Sequence, residues 1–284
     1  MPRVKANRSE KQSYRSSTVA ILLIICALGL VLVFTTGAAS WVSDHVLLPI
    51  GAFFGMNRTP NPEVALETQD ATSPSPDANE RQILLPEQLQ YYLQMGNYSD
   101  RTSADIQAKF IRSIGGAGYV YYDGAQYRVF AACYRDQQSA EKVQEQIRTD
   151  GYDSASYIIQ TDAVNIRFTD AEEKGAESLN ISNLACELAS EVLEIIFEYD
   201  KQTIDAIGAN TQIVDLILKI DTQLAELGAY TEFDAVCAYL DASKTFLSTF
   251  CETSGTLSKA EYSAALKHAQ ISISILYHET IMEL

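Results

Sequence analysis

The sequence predicts an α+β protein made of an N-terminal transmembrane helix, a βαββαβ domain with a four-stranded antiparallel sheet, and a C-terminal antiparallel helical bundle. Three observations predict this architecture. A long uncharged stretch follows a basic N-terminus, strand-like alternation flanks two helical segments in the middle of the chain, and apolar residues recur at helical spacing towards the end. The resulting division is a cytoplasmic tail (1–17), a transmembrane anchor (18–42), a membrane-proximal segment with a disordered linker (43–86), the α+β domain (87–162) and the helical bundle (172–284).

The predicted anchor lies within residues 16–43, which carry no charge and exceed the roughly 20 residues that a helix needs to cross a bilayer. The first fifteen residues carry five basic side chains and one acid, a bias that keeps this end in the cytoplasm. The later domains are then extracytoplasmic. A cleaved signal peptide is the alternative, since the small residues 37–40 resemble a cleavage site. The long apolar core and Trp41, a typical interfacial residue, favour a retained anchor.

Charge and composition exclude one class of partner and predict a spacer. The chain has a formal net charge of −16, and because its first fifteen residues are basic, the remainder carries −20. Such acidity argues against binding nucleic acid through a basic patch. Residues 57–79 are rich in Pro, Asn, Ser and acidic side chains, a composition that does not bury enough apolar surface to fold. We therefore expect a disordered spacer there.

The middle of the chain predicts four strands and two helices. In order, they are strand 91–98, helix 102–114 capped by Ser99-Asp100, strand 119–122, strand 126–132, a helix that begins at Asp136, and strand 156–160. Asp123-Gly124 predicts a tight hairpin turn between the middle two strands. In the first helix, Ile106, Phe110 and Ile114 recur every four residues and are expected to form its apolar face.

The two halves of this domain repeat. Residues 92–100 correspond to residues 128–136, each with a strand, a small residue, an aromatic residue and a polar helix cap. With Gln94-x-Gly96-x-Tyr98 and Gly151-Tyr152, the pattern resembles the SPOR domain (sporulation-related repeat). Ala132 and Cys133 depart from that family, which usually has a glycine and an adjacent proline at these positions.

The resemblance implies binding of peptidoglycan, specifically glycan strands without stem peptides, in cell division or sporulation. It also implies that the ligand lies on the open face of the sheet, opposite the two helices. Strand parity directs Leu93, Met95, Val129 and Ala131 towards the helices. The same parity directs Tyr92 and Phe130, with the polar strand residues, towards the open face.

Seven residues are candidates for glycan binding. By family position these are Gln94, Asn97, Gln126 and Arg128, and by exposed aromatic surface Tyr119, Tyr121 and Tyr157. Side-chain amides both donate and accept, an arginine presents a planar donor fork, and tyrosine offers a flat ring with a polar tip. These properties suit the amides, hydroxyls and weakly apolar faces of aminosugars.

The C-terminal segment predicts four amphipathic helices in an antiparallel bundle. Their apolar residues include Leu188, Ile213, Leu240 and Leu266, and Ser258 with Glu261 forms a capping box for the last helix. We expect this bundle to bind a protein partner or to self-associate.

No catalytic or cofactor-binding pattern is present, and we predict that the protein is not an enzyme. His268 and His278 are ten residues apart and do not share a metal-binding helix face, so we expect them at the surface or at an edge. Cys133, Cys186, Cys237 and Cys251 form no CxxC pair. Acidic residues alone leave a glycosidase open. The alternative function is an interaction or scaffold module at the cell envelope without glycan binding.

Overall fold

The computed structural model describes residues 65–67, 80–169, 174–228 and 231–284. The predicted cytoplasmic tail (1–17) and membrane anchor (18–42) lie outside this part of the chain, as does most of the predicted linker (43–86). Among the described residues, no helix is both long enough and apolar enough to span a membrane.

The described residues form two antiparallel sheets and six α-helices. The strands are β1 (Ala65–Glu67), β2 (Glu80–Leu85), β3 (Gln88–Tyr98), β4 (Tyr119–Tyr122), β5 (Tyr127–Tyr134), β6 (Ala155–Thr161) and β7 (Val164–Thr169). The helices are α1 (Arg101–Ser113), α2 (Gln137–Thr149), α3 (Gly175–Asp200), α4 (Ala206–Leu227), α5 (Asp234–Thr253) and α6 (Lys259–Met282). From β3 to β6 the order is βαββαβ, as predicted, and these four strands form one sheet in the order β4-β5-β3-β6.

Polar side chains cap both helices of the βαββαβ unit. The carboxylate of Asp100 accepts a hydrogen bond from the backbone N–H of Ser103 at 2.9 Å, and that of Asp136 accepts from Gln138 and Ser139. An oxygen at this position satisfies N–H groups that have no partner within the helix. The caps confirm the two predicted helix starts.

The buried face of α1 differs from the predicted one. Ile106 is 65% exposed and Phe110 is 42% exposed. The residues that α1 buries instead are Ala104, Ala108 and Ile111. Small side chains let the chain after α1 approach it closely, since a Cβ added to Gly118 would lie 2.2 Å from the carbonyl oxygen of Ala108. Hydrophobic spacing favours the face with the large side chains of Ile106 and Phe110. Close packing of the chain after α1 requires the face with small side chains instead.

A second sheet, not predicted from the sequence, joins residues on both sides of the βαββαβ unit. β2 pairs with β1 and with β7. β1 and β2 lie within residues 43–86, so the expected linker contains strands, and Ile83 and Phe168 of this sheet are buried in the core of the helical bundle. These strands have only three to six residues each. Runs this short carry too little alternation to be recognised before their partners are known.

Helices α3 to α6 form the predicted antiparallel bundle, in which each helix packs against the next and α6 also packs against α3. One fully buried residue from each helix, in chain order, is Leu188, Ile213, Leu240 and Leu266. The predicted capping box is present at the start of α6, where the backbone N–H of Ser258 donates to the carboxylate of Glu261 at 3.0 Å.

Helix α6 is shared between the bundle and the four-stranded sheet. Leu266 and Ile273 belong to the bundle core, whereas Ile271 and Ile275 pack with residues of the sheet. A helix that is apolar on several sides is typical of a buried position between two partners. The sheet face opposite α1 and α2 is therefore only partly open.

Candidate functional site

The seven residues predicted to bind glycan lie on one face of the four-stranded sheet. Directly opposed residues in antiparallel strands place their side chains on the same face. The opposed rows are Asn97–Arg128–Tyr121 and Gln94–Phe130–Tyr119, with Tyr157 opposite Tyr92. Strict alternation would put Gln94 and Asn97 on opposite faces, but the register shifts on both sides of Gln94 bring them to the same one.

Helix α6 covers part of this face. Tyr92 and Phe130 were expected on an open surface, yet both are completely buried. They pack with Ile271 and Ile275 of α6, and Tyr92 Oη lies 2.9 Å from Ser274 Oγ. The expectation of an open face is therefore wrong for this half. The pattern of the βαββαβ segment gives no sign that a helix 182 residues later covers it.

The remaining half of the face is accessible, and we call it the strip. Its residues are Gln94, Asn97, Tyr121, Gln126, Arg128 and Tyr157. Asn97 and Gln126 are exposed, and the other four are half-buried. Tyr119 marks the border with α6, because its ring lies 5.0 Å from the ring of His268. All seven predicted residues are thus on the strip or at its edge.

Arg128 is at the centre of the strip. Its Nε donates to Asp123 Oδ2 at 2.6 Å, and its Nη1 donates to Gln94 Oε1 at 2.8 Å. Its Cζ lies 4.4 Å from the centroid of the Tyr157 ring, within the range of a cation–π interaction. These contacts fix the plane of the guanidinium group. The fork has five N–H groups, more than these partners use, so Arg128 can also donate to a ligand.

The turn residue Asp123 sets the orientation of Arg128. Its Oδ1 accepts from the backbone N–H groups of Ala125 at 2.9 Å and Gln126 at 2.7 Å, while its Oδ2 binds the arginine. Hydrogen bonds from the Gln126 and Ala125 backbone, followed by Arg128, lower the pKa of Asp123 and keep it ionised. The turn was predicted, but this role was missed. In the sequence, this role is indicated by an aspartate in the turn that is followed by an arginine on the next strand.

Two exposed amides lie beside the arginine. Asn97 Nδ2 donates to Gln126 Oε1 at 2.6 Å, a contact between the end of β3 and the turn that leads into β5. An amide side chain has two N–H groups and an oxygen with two lone pairs. The pair therefore retains both donors and acceptors for a ligand.

Aromatic rings form the floor of the strip. Tyr121 stacks on Phe130 with 5.7 Å between ring centroids, and Tyr157 lies 5.6 Å from Phe130. Burial raises the pKa of Tyr119 and of Tyr121, and the carboxylate of Glu279 raises both further. Tyr119 and Tyr121 are therefore neutral at physiological pH. They present flat rings with a hydroxyl group at the tip.

Metal ligands do not cluster in the part of the chain that the structure describes, where no group of three His, Cys, Asp or Glu side chains could hold an ion. His268 and His278 are half-buried at the contact between α6 and the sheet, not at the surface. Their Nδ1 atoms lie 3.2 Å from the Ala117 carbonyl oxygen and 3.0 Å from Thr161 Oγ1, respectively. Burial raises the pKa of the Cys133 thiol to about 12, so it is a neutral thiol at physiological pH.

Helix α6 also brings a residue to the strip that was not predicted. Glu279 is exposed and close enough for its charge to act on Tyr119 and Tyr121. The sequence predicts the bundle as a separate domain, and no sequence signal links Glu279 to the sheet. Glu279 lies four residues after Ile275. This spacing places Glu279 beside the sheet only once Ile275 is known to face the sheet.

Comparison with known families supports the resemblance. Residues 90–159 match the family model of the SPOR domain, a stretch that runs from β3 into β6. SPOR domains generally bind peptidoglycan in cell-division proteins, and they are binding modules without catalytic activity. Comparisons with curated proteins and with solved structures found no match.

Proposed function

We propose that the SPOR domain at residues 90–159 binds peptidoglycan through the strip, and that its ligand is a glycan strand without stem peptides. The observation that carries this proposal is the arrangement of Arg128, which is held by Asp123 and Gln94 over the ring of Tyr157. Glycan strands of this kind accumulate where cell wall is remodelled. The protein would therefore act in cell division or sporulation.

The chemistry of the strip suits aminosugars. The amides of Gln94 and Asn97 can pair with sugar hydroxyls and acetamido groups, since they both donate and accept. Arg128 can donate two parallel hydrogen bonds to a carbonyl or lactyl carboxylate group. The rings of Tyr121 and Tyr157 provide surface for the weakly apolar faces of the sugars.

We further propose that residues 18–42 anchor the protein in the cell membrane, with its N-terminus in the cytoplasm and its folded part outside. The uncharged stretch and its basic flank support this orientation. The part of the chain between the anchor and β1 would then set how far the folded part reaches towards the wall. In this arrangement the protein is a tether between the cell membrane and peptidoglycan.

Co-sedimentation of the full-length protein with purified sacculi tests the glycan-binding proposal. We expect more protein to bind sacculi whose stem peptides were removed with an amidase than untreated sacculi. Arg128→Ala and Gln94→Ala should each weaken this binding, by roughly tenfold for the arginine because a charge-assisted hydrogen bond is lost. The matched control is Arg167→Ala, which removes an exposed arginine on β7, in the other sheet.

A second candidate function, a protein-interaction module without glycan binding, is favoured by the burial of Tyr92 and Phe130 beneath α6. It predicts equal sedimentation with treated and untreated sacculi, and no effect of Arg128→Ala. That result would refute glycan binding and favour the second candidate. A fluorescent fusion that fails to gather at division septa or at the developing spore would separately refute the proposed place of action.

A further inference from the structure

We propose that helix α6 forms a fixed wall of the glycan site, and that Glu279 on this wall contacts the bound sugar. The inference rests on the proposed glycan-binding function and deepens it. It gives the helical bundle a direct part in recognising the ligand.

The apolar contact between α6 and the sheet is extensive. Tyr92, Phe130 and Ile271 are completely buried, and Ile275 is 3% exposed. Returning one such side chain to water shifts an opening equilibrium by roughly tenfold or more. Exposing all four would therefore reduce the open population by roughly ten-thousand-fold, a shift that a ligand would have to offset through its preference for the open state. The sheet face therefore remains covered when a ligand binds.

Polar contacts add to this closure at two other places. Lys267 Nζ of α6 donates to the carbonyl oxygen of Gly115, just after α1, at 3.1 Å. Arg135, which follows β5, donates from Nη2 to the carbonyl oxygen of Cys186 on α3 at 2.9 Å. Lifting the bundle from the sheet would break both contacts. Breaking contacts to a charged donor costs more than breaking neutral ones.

The sequence departs from the SPOR pattern where the helix covers the sheet. Cys133, which replaces the usual proline, is buried with its Sγ 3.8 Å from Ser274 Oγ of α6. The same sulfur lies 3.2 Å from Gln90 Oε1, so the thiol has polar partners on both the sheet and α6. The substitution therefore fits a sheet whose covered half serves packing and whose ligand contacts are confined to the strip.

Glu279 lies on the side of α6 that faces the sheet. It follows Ile271 and Ile275 at intervals of four residues, which places the three side chains on one stripe of the helix. The first two pack against the sheet. One turn further on, Glu279 is exposed, and its charge acts on Tyr119 and Tyr121. The stripe thus passes from the covered half of the face to the edge of the strip.

Glu279 adds an acceptor to a site whose main donor is Arg128. The carboxylate of Glu279 can accept hydrogen bonds from sugar hydroxyls or from an acetamido N–H, while the Arg128 fork donates to carbonyl or carboxylate oxygens.

The first test measures the affinity of the full-length protein for amidase-treated sacculi. Glu279→Ala should weaken binding by about tenfold or more, the effect of losing one hydrogen bond to a charged group. The control is Glu252→Ala, an exposed glutamate on α5, which should leave the affinity unchanged. If Arg128→Ala weakens binding and Glu279→Ala does not, the contact by Glu279 is refuted while the glycan-binding function stands.

The second test asks whether α6 moves. A Ser274→Cys variant places a thiol beside Cys133; refolding it under oxidising conditions, with the disulfide verified by mass spectrometry, links α6 to β5, and reduction releases it. We expect the oxidised and reduced forms of this variant to bind treated sacculi equally well. Loss of binding on oxidation, restored by a reductant, would overturn the fixed wall. If the unmodified protein does not prefer treated sacculi, it is the proposed function that fails.

Discussion

The ion pair between Lys267 and Asp200 should contribute strongly to the stability of the folded part. Lys267 Nζ lies 2.7 Å from Asp200 Oδ2 and 2.8 Å from Ser263 Oγ, and it also donates to the carbonyl oxygen of Gly115. The two charged side chains are only 6% and 10% exposed. The pair therefore joins α3, α6 and the loop after α1 within the protein interior.

Substituting Lys267→Met removes the cation and leaves the carboxylate of Asp200 buried with Ser263 as its remaining partner. Breaking a buried pair in this way costs about 3–5 kcal/mol, because an uncompensated charge remains inside. Neutralising both partners, in Asp200→Asn with Lys267→Met, removes that charge. The double variant should therefore recover most of the free energy of unfolding that the single variant loses.

Urea denaturation of the full-length protein, followed by far-ultraviolet circular dichroism, measures these differences. Lys244→Met is the matched control, since Lys244 also joins two helices through Asp221, and pairs within α5 with Asp241, but at the surface. Exposed pairs contribute about 0–1 kcal/mol. A loss below about 1 kcal/mol for Lys267→Met, or a double variant less stable than the single one, would refute the reasoning.

Three further predictions concern stability. Ile271→Ala should lower the free energy of unfolding by about 2–5 kcal/mol through a cavity between α6 and the sheet, against less than about 0.5 kcal/mol for the exposed Leu218→Ala; urea midpoints that fall equally would contradict this. Gly118→Ala should cost about 3 kcal/mol or more, because φ is +52° and its Cβ would meet the Ala108 carbonyl; an unchanged melting temperature would exclude the strain. Burial lowers the pKa of His268, so the unfolded chain takes up the proton first and stability should fall as pH drops below about 6.5. His268→Gln should make that fall shallower, and an identical pH profile would argue against the assignment.

The elements that were predicted correctly have local signals. The side chains of Asp100 and Asp136 mark helix starts because each accepts a hydrogen bond from the backbone N–H three residues further on. Ser258 and Glu261 mark the start of α6 in the same way. Apolar spacing likewise identified the four bundle helices. Such signals depend on neighbours along the chain, so the sequence contains them in full.

The features that were missed depend on contacts between distant parts of the chain. Helical spacing identified α6, but it did not indicate that Ile271 and Ile275 pack on β3 and β5. For the same reason, β2 remained part of the predicted linker until its pairing with β7 was known. In α1, the face with Ala108 is buried instead of the face with Phe110, because the chain around Gly118 packs closely against Ala108.

The site was predictable in part. Strand parity and family position identified residues that the structure brings together, including Gln94 and Arg128 at 2.8 Å. Asp123 and Glu279 were missed, since one acts through a turn and the other comes from a helix that was assigned to a separate domain. Tyr92 and Phe130 have the predicted orientation, but another element buries them.

The central claim is that glycan binds the strip beside a helix that stays in place. Tyrosine-selective isotope labelling of the full-length protein, followed by NMR during titration with amidase-stripped glycan, tests both parts. We predict that the signals of Tyr121 and Tyr157 shift, while those of Tyr92 and of Tyr262 in the bundle core do not. An absence of shifts at every tyrosine, or a shift centred on Tyr92, would contradict the account.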